Sequence, residues 1–311
     1  MLSNHLSMNK LSVLLLLTFI SCKNLEIKKE NTLKLPFQEL ITDNYELIKP
    51  NKNIKSVVVL FGGFPEKPED IKREFNILQL AKENNIAIVY MNYNKKLWLE
   101  ENEKQKLAAQ LQGIFLENKL PKNSLYIGGF SSGGNVSLLI GSFLKENEKF
   151  ALDPKGIFII DSPIDLVALF KSSEKNLKQH SSEASLQEST WIIETLEKQF
   201  GNPNNTISKY ETYSVFTSTT NNIDNLKSLK NTKIRLYSEP DTLWWKENRK
   251  ADYDQMNAFY IKKLYERLKA SGFKKVENIT TKNKGYRANG ERHPHSWSIV
   301  DKNDLIQWII Q

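Results

Sequence analysis

The sequence predicts an α/β protein: a mostly parallel central sheet with helices on both faces and a helical cap inserted late in the chain. Three observations carry this. Several short runs are apolar without alternation, as strands buried on both faces must be. Segments with helical spacing of apolar residues separate those runs, the rhythm of a parallel sheet joined by crossover helices. Finally, residues 164–230 break the rhythm with a helical and then polar stretch, which reads as a cap or lid over the strand ends.

Taken in order, "SVVVLFGGF" (56–64) is a β-branched strand ending in glycines. "EDIKREFNILQLAKENN" (69–85) spaces Ile71, Phe75, Leu78 and Ala81 as one helical face. "IAIVYMNYN" (86–94) is a second buried strand, and "EENEKQKLAAQLQGIFLEN" an amphipathic helix. "SLYIGGF" (124–130) is a third strand, followed by the helix "NVSLLIGSFLKEN". "GIFIIDSP" (156–163) and "KIRLYSEPD" (233–241) are two more strands. Within 164–230, "SSEASLQESTWIIETLEKQF" predicts a cap helix. "KKVENITT" reads as the last strand, and Ile299, Leu305, Ile306 and Ile309 as one face of the closing helix.

With 311 residues, 40% of them hydrophobic, the chain can bury one large core or two small ones. The formal charge of +8 could mark a nucleic-acid partner, but the lysines are mixed with glutamates, as in "LEENEKQK" and "KENEKF". There is no arginine-rich run or zinc-finger spacing, so the charge reads as a solvated surface and no nucleic-acid partner is expected.

A single cysteine excludes an intramolecular disulfide and any multi-cysteine metal site, and nothing in the chain calls for a metal or other cofactor. That cysteine sits in "NKLSVLLLLTFISCKN", where Lys10 precedes an apolar run from Leu11 to Ile20. The run is too short to span a bilayer and fits a signal-peptide core, with Met8 an alternative start. Residues 1–22 are therefore read as an export signal, 23–39 as a polar tether, and 40–311 as the folded domain.

Gly129-Phe130-Ser131-Ser132-Gly133 matches G-x-S-x-G between a strand and a helix. A serine there sits on a sharp, strained turn with its hydroxyl above the sheet. Such a serine needs a base, and the four histidines are His5, His180, His293 and His295. His5 lies in the signal and His180 in the cap. In "GERHPHSWSIVDKNDLIQWII" His295 abuts Trp297 and the last helix, whereas His293 precedes a proline that holds it extended. His295 is the preferred base. The base needs a carboxylate to fix its tautomer. "YSEPDTLWW" ends a strand with Glu239 and Asp241, of which Asp241 is preferred because Asp is shorter and stiffer; Asp161 and Asp165 are the reserves. For an oxyanion, "LFGGFP" offers the backbone N–H groups of Gly63 or Phe64, together with that of Ser132.

Together these residues resemble the α/β-hydrolase superfamily, in which the triad runs in the order serine, acid, histidine. Here that order is Ser131, Asp241, His295, and the resemblance covers about residues 40–311. It implies acyl transfer through an acyl-enzyme, and a cap between the sixth and seventh strands. Phe61 stands where the common pattern has a histidine before the glycines. An apolar pair, a small residue and then cysteine likewise resembles the lipobox of bacterial lipoproteins, which implies lipidation at Cys22 and anchoring to a membrane of the envelope. The expected partners are an ester or acylated small molecule and, through the lipid, the membrane. A peptidase, an acyltransferase and a non-catalytic binding protein on the same scaffold are the alternatives. Trp98, Trp244 and Trp245 could stack on a sugar or aryl group, or serve only in packing.

Overall fold

The computed structural model describes residues 36–93, 96–180 and 182–311. The expected export signal, Cys22 and the tether up to residue 35 lie outside the described residues. The elements run β1 (Phe37–Ile41), β2 (Tyr45–Pro50), β3 (Ser56–Phe61), α1 (Pro68–Phe75), α2 (Leu78–Glu83), β4 (Ile86–Met91), α3 (Glu101–Glu117), β5 (Leu125–Phe130), α4 (Ser132–Glu146) and β6 (Pro154–Ile160). There follow α5 (Leu166–Lys178), α6 (Glu183–Phe200), α7 (Pro203–Tyr213), β7 (Lys233–Ser238), α8 (Thr242–Arg249), α9 (Asn257–Ala270), β8 (Val276–Thr280) and α10 (Lys302–Ile310).

The eight strands form one sheet in the order β1-β2-β4-β3-β5-β6-β7-β8. The pairings from β4 through β8 are parallel, and β1 and β2 close one edge antiparallel. The expected α/β architecture is therefore present. Its unalternated strands divide their side chains between two cores. Val57, Val59 and Phe61 of β3 pack with apolar residues of α3, α4 and α9, while Val58 and Leu60 pack with those of α1, α2 and α10. A strand covered on both faces has no polar side to reveal its period.

Three boundaries differ from the sequence reading. β1 opens at Phe37, inside the stretch read as tether; as an edge strand with mostly exposed side chains it carries little apolar signal. The single helix expected over 69–85 is two, because Asn76 adopts the left-handed conformation (φ 44°, ψ 48°) and ends α1. In the region read as cap, α5–α7 build their own apolar cluster around Phe170, Leu196, Phe200 and Tyr210. From Val215 onward the chain instead returns to the main core through Phe216, Ile223, Leu226 and Leu229. Among the described residues no helix is long and apolar enough to cross a membrane.

This topology decides where a ligand can sit. The chain passes from β3 out to β4, then back across β3 to β5. In open parallel sheets the crevice lies at the carboxyl ends of the strands where the order reverses, here between β3 and β5. The segments leaving these two strands are Gly62–Glu66 and Ser131–Ser132.

Candidate active site

Ser131 joins β5 to α4 with φ 51° and ψ −129°, a conformation that costs a non-glycine residue about 1–3 kcal/mol. The backbone is held there by its neighbours: the Ser131 N–H donates to the Ile160 carbonyl at 2.9 Å, and its own carbonyl accepts the Gly134 N–H at 3.0 Å. The flanking glycines are required. A Cβ on Gly129 would land in the Gly133 carbonyl, and one on Gly133 would land in the backbone of Phe61. Ser131 itself is half-buried, so its hydroxyl stays within reach of solvent.

The histidine expected as the base stands beside this turn. His295 lies with its ring centroid 4.5 Å from that of Phe130, the residue preceding Ser131. Its Nδ1 is 2.6 Å from Oδ2 of Asp161, the first residue beyond β6. An ionised carboxylate can only accept, so Nδ1 carries the proton, and in the neutral imidazole Nε2 is then the atom with the lone pair. Asp161 is 4% exposed. It is fixed by its own N–H donating to the Tyr237 carbonyl at 2.8 Å and by Asn257 Nδ2 donating to its carbonyl at 2.8 Å.

The acid expected from the sequence is thus corrected. Asp241 does not meet His295: its Oδ1 caps α8 by accepting the Trp244 N–H at 3.0 Å, and its Oδ2 accepts from Arg292 at 2.6 Å. The same guanidinium nitrogen lies 2.5 Å from Glu239 Oε1. Glu239, 2% exposed, also accepts from Thr281 Oγ1, the Lys284 N–H and the Gly285 N–H, at 2.9, 2.8 and 3.2 Å. Both acids at the end of β7 therefore hold the loop that leads to the histidines. Asp165, the other reserve, caps α5 through the Ala168 N–H and binds the Ser218 N–H at 2.7 Å; burial raises its carboxyl above the ordinary range.

His293 is not presented to the serine. It is 9% exposed, with its ring 4.6 Å from Trp244 and 6.2 Å from Trp245. Its Nδ1 has no hydrogen-bond partner among the described residues. Burial, then the nearby charges of His295, Arg287 and Arg249, push its pKa down to about 3. The tryptophans singled out in the sequence are half-buried and make ring contacts: Trp244 and Trp245 with His293, and Trp98 with Phe200 at 4.9 Å.

Of the three expected oxyanion donors, two are already engaged. The Gly63 N–H donates to Glu66 Oε2 at 2.9 Å. Phe64 and Ser132 are brought together, the Phe64 N–H donating to Ser132 Oγ at 3.1 Å. Ser132 begins α4, so its own N–H has no acceptor within the helix. Gly63 backs directly onto the turn, since a Cβ there would stand 2.8 Å from Ser131 Cβ.

Two further residues went unseen in the sequence. Trp191 of α6 stacks on Phe64 with centroids 5.3 Å apart and planes 16° apart, bringing α6 to the loop beside Ser131. Both rings are largely exposed, at 41% and 52%. Glu66 accepts hydrogen bonds from the Trp297 indole, whose ring lies 5.4 Å from Phe130. No sequence motif marks a cap aromatic or a glutamate two residues beyond Phe64. Among the described residues no group of three or more His, Cys, Asp or Glu is arranged to hold a metal ion.

No protein-family model matches the chain, and no curated protein does. Solved structures do match. An esterase/lipase from an uncultured bacterium aligns with a TM-score of 0.53 at 12% identity, covering 88% of this chain and 85% of that one. An esterase from the bacterial hormone-sensitive lipase family aligns with a TM-score of 0.51 at 13% identity, over 88% and 84% of the two chains. Carboxyl esterase 2 from the mycorrhizal fungus Tuber melanosporum aligns with a TM-score of 0.51 at 14% identity, over 89% and 86%. At such identities the likeness establishes the fold, which is that of the α/β-hydrolases.

Proposed function

We propose that the chain is a serine hydrolase of carboxylic esters that works through Ser131, His295 and Asp161. The observation that carries this reading is the pairing of His295 Nδ1 with a buried, doubly fixed Asp161 beside a serine in strained backbone, at the crevice where the strand order reverses. Ser131 Oγ attacks the ester carbonyl carbon while its proton passes to Nε2 of His295. Collapse of the tetrahedral intermediate breaks the bond to the alkoxy oxygen, which takes that proton and leaves as the alcohol. Water then attacks the acyl-enzyme, giving its proton to Nε2, and returns the serine with release of the acid. Asp161 orients the imidazole and stabilises it when charged. The Ser132 N–H is one donor to the oxyanion, and the Phe64 N–H becomes the second once it releases Ser132 Oγ, to which it now donates. The exposed Phe64–Trp191 pair favours esters with an apolar acyl or aryl group, since covering such rings is favourable.

The test is turnover of short and medium p-nitrophenyl acyl esters by a fragment beginning after Cys22, beside Ser131→Ala and His295→Ala. Turnover should be lost in both variants, and a fluorophosphonate should label Ser131. Well-folded protein without turnover or labelling would overturn the assignment in favour of a binding scaffold.

The apolar run ending in Ser21-Cys22 supports a second part of the proposal: export, lipidation at Cys22 and anchoring to a membrane of the bacterial envelope, with residues 23–35 as tether. In a bacterial host the full chain should sediment with membranes and Cys22→Ala should not. Equal partitioning of the two would remove the anchor.

A further inference from the structure

Glu66 is joined to the loop after β3 and to the segment that carries His295. The N–H of Gly63 donates to its Oε2 at 2.9 Å, and its own N–H returns to the Gly63 carbonyl at 2.6 Å, closing the turn that carries Phe64. On its other side the carboxylate accepts the Trp297 indole N–H, at 3.0 Å to Oε2 and 3.2 Å to Oε1. Trp297, only 1% exposed, lies two residues beyond His295. Its ring stacks on Phe75 at 4.6 Å and faces Phe130 at 5.4 Å, and Phe130 in turn faces the His295 ring. One side chain therefore ties the loop after β3 to the histidine segment, across the base of the serine turn.

We propose that Glu66 is a positioning residue that clasps the loop after β3 to the His295 segment, holding the Phe64 N–H against Ser132 Oγ, next to Ser131, from where it can turn to the oxyanion. This rests on the hydrolase reading above. Burial raises the Glu66 carboxyl above its ordinary value, and the hydrogen bonds from Trp297 and Gly63 pull it back down, as do the charges of His295 and Arg287. A partly buried carboxylate is a costly way to close a turn that a neutral acceptor could also close. Its carboxylate meets two donors far apart in the chain, Gly63 in the loop after β3 and Trp297 in the segment after β8, which a purely local turn would not require. An oxyanion donor contributes to rate in proportion to how well it is already in place when charge develops. Loosening the clasp should therefore act on the chemical step and leave ground-state binding nearly alone.

The test compares Glu66→Ala and Glu66→Gln with wild type on p-nitrophenyl esters, with fluorophosphonate labelling of Ser131 alongside. Glu66→Ala should lower kcat about tenfold to a hundredfold, as misplacement of a catalytic group by about an ångström does. KM should stay within about threefold. Glu66→Gln should restore kcat to within about threefold of wild type, because one amide oxygen can accept from both Gly63 and Trp297 as Oε2 does now. Trp297→Phe keeps a ring in the stack but removes the indole donor. It should lower kcat in the same direction, and it decides the matter should Glu66→Ala fail to fold. An active wild type with Glu66→Ala or Trp297→Phe within about twofold of it would overturn the role of Glu66 alone. A wild type neither active nor labelled would overturn the hydrolase reading and this role with it.

Discussion

The ends of β6 and β7 both carry buried acids, yet they face different partners. At the end of β6, Asp161 meets the imidazole of His295. At the end of β7, Glu239 and Asp241 meet the guanidinium of Arg292. A carboxylate beside an imidazole can set its tautomer and answer its charge when a proton arrives. One beside a guanidinium faces a group that does not titrate, and so forms a fixed strut. Through Glu239 that strut also collects Thr281, Lys284 and Gly285, so the loop bearing the histidine is braced by one strand end while its ring is oriented by the next. The same residue type thus serves mobility of charge in one place and rigidity in the other. What it faces, rather than where along the strand it sits, decides which.

Substituting the two aspartates separately is the sharpest way to break this comparison, with the largest expected effect. Asp161→Asn keeps the shape but puts an amide against Nδ1, which allows the wrong tautomer. Ester turnover should fall by about three to four orders of magnitude with KM little changed. Asp241→Asn should leave kcat within about threefold, because Glu239 still holds Arg292 and an Asn can still cap α8. A reversal of the two results, with Asp241 the costly position, would return the acid to β7. A large loss at both would mean that the brace and the orienting acid are energetically one unit.

The serine turn was legible in the sequence because its requirements are local: two glycines that admit no Cβ, a strand before and a helix after. The histidine segment was legible too, since few histidines exist and one abuts the last helix. The choice of acid was not. Asp161, Asp165, Glu239 and Asp241 all follow strands, and nothing within ten residues of any of them encodes the answer. It is set by Arg292, 51 residues from Asp241, and by the pairing of His295 with Asp161 across 134 residues. Gly63 misled for a similar reason, its amide being taken by a glutamate three residues on whose carboxylate also needs Trp297 in place. Edge strand β1 escaped because exposed side chains erase the pattern that buried ones impose.

A smaller effect sharpens the comparison further, because the brace at β7 encloses a titratable group of its own. His293 packs on Trp244 and Trp245 of α8, the helix that Asp241 caps, and its pKa is pushed down to about 3 from an unfolded value of 6.5. The cause is chiefly burial, with electrostatic repulsion from His295, Arg287 and Arg249 adding to it. Between these two values the unfolded chain binds a proton that the folded chain refuses. Stability contributed by this site is therefore complete above pH 6.5 and is lost progressively as the pH falls toward 3. Thermal unfolding of wild type and His293→Gln, followed from pH 8 to pH 4, should show a difference in Tm that favours wild type most at high pH and narrows on acidification. Turnover at neutral pH should survive the substitution far better than it survives Asp161→Asn, since His293 bears on the brace and not on the serine. Parallel Tm curves would show that the ring is not held neutral by its surroundings. Loss of turnover comparable to that of Asp161→Asn would show that the strut and the orienting acid cannot be separated as the two strand ends suggest.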